Sequence, residues 1–167
     1  MKQILLTAIL TLSFVFAQWT ASAQQAADIE KSVETIATEL DSAEGVECMV
    51  ITQGIQLKLI KGAFQQKFGK AFMKRVTSMV IIDYSKASEA IYNTIRNKID
   101  SITDHLQEFE LSKDVAKEGQ YVKSYATINS PTSISDFMMI MEDKDNRMFL
   151  YLGGVLDIEK LKLDSQE

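Results

Sequence analysis

Between Glu47 and Asp83 the chain carries Lys58, Lys61, Lys67, Lys70, Lys74 and Arg75 and no acidic residue. Six one-signed charges in an otherwise acidic protein are suited to meeting an anion, because the summed field of such a stretch attracts a negative surface before any contact forms. Phe64, Phe68 and Phe72 are interleaved with them at four-residue spacing, and helical spacing would bring Lys67, Lys70 and Lys74 onto neighbouring turns. The chemistry this implies is binding of an anionic envelope component, such as lipid headgroups or an acidic glycan, or of an acidic protein. The competing reading is that these side chains only solvate the outer faces of amphipathic helices, as lysine stems do.

No other constellation rises to that level. Cys48 lies inside an apolar strand-like run, where it reads as a small core residue rather than a nucleophile. The only histidine, His105, stands beside Asp104 on the polar side of a helix; a metal would need further His or Cys ligands, and Cys48 is the only other one. Met138, Met139, Met141 and Met148 crowd one hairpin, but they alternate between faces, which makes them core filler rather than a soft-metal site. A nucleophile elbow, a phosphate-cradling glycine loop and a dinucleotide fingerprint are all missing. Catalytic residues, metal and cofactor are therefore each expected to be none.

The elements that must position the basic stretch follow from the remaining pattern. Residues 1–23 read as a secretory signal peptide: Lys2, a mostly apolar run from Ile4 to Phe16, then the small-x-small sequence Ala21-Ser22-Ala23. The run falls short of the ~20 residues a membrane span needs, and no cysteine follows it to carry a lipid. The expectation is an exported protein, periplasmic or secreted, cleaved near Ala23 and soluble, with no transmembrane segment in the mature form. Its net charge moves from −5 to about −6 when Lys2 is lost, which argues against nucleic-acid binding. One cysteine cannot form an internal disulfide.

Residues 24–167 read as a single α+β domain. Ile29, Val33, Ile36 and Leu40 form one helical stripe, closed by Gly45. Val46 to Thr52 alternates as a strand. Residues 53–75 predict two short helices, with Gln53–Lys61 open between helix and strand, and Thr77 to Tyr84 predicts a second strand. Ile91, Ile95, Ile99, Ile102, Leu106 and Phe109 predict a long helix from about Lys86 to Phe109, capped by Ser85. A polar stretch, 110–119, leads to three runs at 121–128, 134–142 and 147–155. The breaks Asn129-Ser130-Pro131-Thr132 and Asp143-Lys144-Asp145-Asn146 make these a C-terminal three-stranded meander. Asp157 caps a closing turn that carries Ile158, Leu161 and Leu163. The sum is one mixed, mostly antiparallel sheet of about five strands covered by helices.

Three segments carry a resemblance: Gly45-Val46 to Lys61, Val76–Asp83, and the ending Phe149-Leu150-Tyr151-Leu152-Gly153-Gly154-Val155-Leu156-Asp157. With them the chain resembles the exported bacterial family catalogued as Domain of Unknown Function 4252. The resemblance spans nearly the whole mature chain and implies no activity. Many such relatives look like lipoproteins, whereas this sequence lacks the lipid-bearing cysteine. The expected function is thus a non-enzymatic envelope protein that works by binding; the alternative is an envelope enzyme whose site is built from scattered carboxylates and hydroxyls.

Overall fold

The computed structural model describes residues 28–52, 54–108 and 120–160. The expected signal peptide, the start of the mature chain, Gln53, Phe109, the polar stretch 110–119, and Leu161 and Leu163 lie outside the described residues.

The chain is α+β, as its pattern predicts. Residues 28–40 are helical (α1), burying Ile29, Val33, Ala37 and Leu40. Strand β1 is Glu47–Ile51, followed by α2 (Gly54–Phe68), α3 (Lys70–Lys74), β2 (Ser78–Asp83) and α4 (Glu89–Thr103). Then come β3 (Gln107–Glu108), β4 (Tyr121–Ser130), β5 (Ser133–Glu142), β6 (Arg147–Gly153), β7 (Leu156–Asp157) and a 3₁₀ turn, Ile158–Lys160. The seven strands form one open sheet in the order β1-β2-β6-β5-β4-β3, with β7 pairing β5.

Two expectations about the sheet are corrected. It has seven strands rather than about five, because two-residue segments, β3 and β7, add to its margins. Nor is it mixed: each pairing among the described strands is antiparallel. The reason lies in the excursion between β1 and β2. Two helices carry the chain away from Ile51 and back to Met79, its register partner, so β2 starts where β1 ended. The two-helix reading of 53–75 holds, and Gln53–Lys61 resolves to helix from Gly54 onward. The break falls at Gly69, whose φ of +86° a side chain would resist, while Gly62 is absorbed inside α2.

The long helix is shorter at both ends than its stripe suggests. Its cap is Ser88, whose side chain accepts the Ile91 amide, and not Ser85. Ser85 is held instead by the turn after β2: its amide donates to Asp83, and its hydroxyl accepts the Arg147 amide at 2.9 Å. After Thr103 the chain unwinds so that Gln107 and Glu108 can pair with Ala126 and Tyr125 of β4.

Alternation sorts the sheet into two packed layers. Val80, Ile82, Met138, Ile140, Phe149 and Tyr151 face α1 and α4. Met79, Phe137, Met139, Met141, Leu150 and Leu152 face α2 and α3, where Phe68 and Phe72 meet Phe137 edge-on at 6.3 Å. Strand β6 has apolar residues on both faces and is central, lying between β2 and β5. The hairpin methionines are divided between the two layers, Met138 in one and Met139, Met141 and Met148 in the other.

Candidate functional site

Helix α2 is apolar on two sides. Leu57, Ile60, Phe64 and Phe68 turn inward onto the sheet. Ile55 and Leu59, one turn apart, turn outward and are 77% and 70% exposed. The outward stripe continues through Gly62, where a Cβ would meet nothing within 4 Å, to the exposed Ala63 and Gln66. Beside it Lys58 is exposed, as are Lys70, Lys74 and Arg75 around α3. Among the described residues, no ion pair engages any of these four.

The predicted basic residues therefore divide. Lys61 leaves the set, because its ammonium donates to the carbonyls of Val76 at 2.7 Å and Lys74 at 3.2 Å. It closes the end of α3, where backbone carbonyls lack amide partners, and partial burial lowers its pKa. That clamp has a second effect. It draws the end of α3, with Lys74 and Arg75, against the middle of α2, one turn from Lys58 on that helix. The side chain of Lys67 lies outside the described residues.

The other chemical candidates stand in different surroundings. Burial, with Asp41 adding to it, pushes the Cys48 thiol up to about 11, so the thiolate needed for nucleophilic or metal chemistry is scarce. His105 is exposed at the far end of α4, on the rim of an open cleft of about 620 Å³ between α1 and α4. Among the described residues, no three of His, Cys, Asp and Glu converge as metal ligands.

A second polar assembly, missed in the sequence, lies beneath α1. Asp136 is 2% exposed and has a φ of +51°, the only described non-glycine residue with positive φ. The cause is a bulge. Tyr125 pairs with Met138 and Thr127 with Ser135, so Ala126 alone opposes Asp136 and Phe137. The extra residue bends the strand and re-aims its side chain, and Asp tolerates the left-handed region better than most residues. Its carboxylate receives three hydroxyls, each at 3.1 Å: Tyr151 on Oδ1, and Thr127 and Ser135 on Oδ2. Burial raises its pKa and the three hydrogen bonds oppose that, while the charge of Glu30 on α1 adds to the rise.

Ser78 stands next to this group. It is 3% exposed and its Oγ has no hydrogen-bond partner among the described residues. A Cβ on Gly153 would collide with that oxygen and lie 3.3 Å from the Tyr151 hydroxyl, so Gly153 is the space between the two. No signal in the sequence marks the bulge; it shows in the packing. Ile134 and Phe137 both belong to the α2–α3 layer although three residues apart, an odd spacing that a regular strand cannot place on one face.

Comparison with known proteins returned no match: no family model fits the chain, and no curated protein or solved structure is significantly similar to it.

Proposed function

We propose that this protein is a non-enzymatic, exported binding module that docks on an anionic lipid surface through α2 and α3. One observation carries the reading: Ile55 and Leu59 stand largely exposed on a helix whose neighbouring cations, Lys58, Lys74 and Arg75, have no described ion-pair partner. Lysines alone would suit any polyanion. Two aliphatic side chains in water on the same helix favour a partner with an apolar interior, and an interfacial helix combines those two features. No described helix is long and apolar enough to cross a membrane, so contact would come from this surface. Export, and membership of the family that the sequence resembles, belong to the same proposal.

The enzyme reading draws support from Asp136 and its hydroxyls, which are carboxylate and hydroxyl chemistry brought together from separate strands. Against it stands access: Tyr151 and Asp136 are buried beneath α1, and a substrate must reach the groups that act on it.

Co-sedimentation with vesicles tests the proposal. The protein is expected to bind phosphatidylcholine vesicles that contain phosphatidylglycerol, to release them as salt rises, and to ignore phosphatidylcholine alone. Reversing Lys58, Lys74 and Arg75 to Glu removes three attractions of about 1 kcal/mol each and should abolish binding with an unchanged melting temperature. Ile55→Ser with Leu59→Ser should weaken binding while leaving its salt dependence intact. Absence of binding at low salt overturns the reading. So does tight retention on an acidic glycan that the Ile55 and Leu59 changes leave untouched.

A further inference from the structure

Asp136 poses a problem of charge. A carboxylate removed from water is ordinarily paired with a cation or engaged by a metal, since neutral donors alone recover only part of its lost solvation. Here the neutral donors are Tyr151, Thr127 and Ser135, and among the described residues no Lys, Arg or His forms an ion pair with it. Nearby charge makes matters worse: Glu30 acts on Asp136, and both Glu30 and Glu34 act on Tyr151 with the same sign. The surroundings are negative, dry and rich in oxygen.

Geometry adds an independent fact. The Ser78 hydroxyl, buried and without a partner among the described residues, borders the same space as the Tyr151 hydroxyl, across the position where Gly153 lacks a Cβ. A hydroxyl that donates to a carboxylate still has lone pairs to offer, and Ser78 has its whole capacity unused. The backbone is also strained here to turn a charged side chain inward, at a site where an apolar residue would have continued the strand.

We propose that Asp136, with the hydroxyls of Ser78, Thr127, Ser135 and Tyr151, forms an internal site for a small monovalent cation such as sodium. Hard oxygen donors select an alkali or alkaline-earth ion over a soft metal. Charge then selects between those two. A calcium site takes 6–8 oxygens, usually including several carboxylates, whereas this cluster contains one carboxylate and, among the described residues, no three acidic, His or Cys ligands converge. One negative charge is balanced by one positive charge. The bound ion would join β2, β4, β5 and β6, the four strands that contribute its oxygens, so the role is to lock the sheet beneath α1. This site is separate from the α2–α3 surface and does not depend on it.

Thermal unfolding in sodium chloride, compared with N-methylglucamine chloride at equal ionic strength and neutral pH, provides the test. The melting temperature is expected to rise saturably with sodium and not with the bulky cation, as for any ligand held only by the folded state. Asp136→Asn should abolish the difference between the two salts. Because that variant alters the cluster itself, Ser78→Ala serves as the second probe; it keeps the carboxylate, removes one ligand, and should shift the sodium midpoint to higher concentration. Equal melting of the unaltered protein in both salts overturns the proposal and leaves a proton or a water as the occupant. A sodium effect that survives Asp136→Asn also overturns it, because the ion then sits elsewhere.

Discussion

Strand β5 carries a carboxylate at each end of the face turned toward α1 and α4, and the two are satisfied in opposite ways. Glu142 has a permanent cation. Arg96 of α4 reaches its Oε1 at 3.4 Å and turns its other side to Asp100 at 3.7 Å. The phenols of Tyr84 and Tyr92 donate to the same carboxylate at 2.7 and 3.3 Å. Rings complete the assembly: Arg96 lies over Tyr121 at 5.8 Å, and Arg147 over Tyr92 at 4.3 Å. Among the described residues, Asp136 has hydroxyls only. What differs is the element above each residue. Helix α4 presents an arginine to the Glu142 end, and α1 presents glutamates to the Asp136 end. Identical chemistry on one strand thus becomes a structural tie at one end and an unbalanced charge at the other.

The largest break in this contrast should come from Arg96→Met. It strands Glu142, with Tyr84 buried against it, and is expected to cost about 3 kcal/mol in urea unfolding, the low end for a buried pair because both partners keep some water. Adding Glu142→Leu should recover much of that loss. A loss of only a few tenths would show the pair to be a surface decoration and the two ends to be alike.

At the other end, Gly153→Ala drives a methyl group into Ser78 Oγ and should cost about 1–3 kcal/mol by overpacking. Pairing it with Ser78→Gly should restore stability, since the colliding oxygen is then gone. Failure of that rescue would mean Gly153 is needed for backbone reasons instead.

The smallest effect is also the most diagnostic. Burial holds the Asp136 carboxyl above its ordinary 3.8, so the folded protein grips this proton more tightly than the unfolded chain does. Its contribution is therefore fully present below the unfolded value and is lost as pH rises through the raised folded value. Asn keeps the hydrogen-bonding shape and tolerates the left-handed backbone, so Asp136→Asn should change stability by at most about 1 kcal/mol. Without sodium in the buffer, the comparison should favour the native protein most in acid and progressively less above it. A pH profile parallel to that of the native protein would remove the unbalanced charge from the account. Asp143, in the next turn, has the opposite sign: the amides of Asp145 and Asn146 hold its pKa down, so what it contributes fades as pH falls.

The difference between the ends also marks what the sequence could reveal. Period and turn chemistry made β5, β6 and the helical cover of the sheet legible, because each rests on local repetition of residue type. The basic stretch was legible as composition. Its division was not, since the removal of Lys61 depends on the carbonyls of Lys74 and Val76, which only the α2–α3 fold brings to it. The Asp136 cluster draws Ser78, Thr127, Ser135 and Tyr151 from four strands, and no spacing along the chain announces such a meeting. Ser88 prevailed over Ser85 as the cap because the hydroxyl of Ser85 is committed to β6, a long-range contact that a local rule cannot see.

The order of strands has a consequence for how the protein assembles. β4, β5 and β6 are joined by short turns, so their pairing closes little chain and can precede the rest. β2 inserts against β6 across the whole intervening helix and hairpin, whereas β1 finds its one neighbour, β2, across the shorter excursion through α2 and α3. The surface proposed to meet a membrane is thus strung between β1, which holds the sheet's margin by a single partner, and β2. Its rigidity comes from the middle of the sheet, where Phe68 and Phe72 meet Phe137 of β5, so looseness at the β1 edge reaches the docking helices only through their tether while the two carboxylates inside the meander stay fixed.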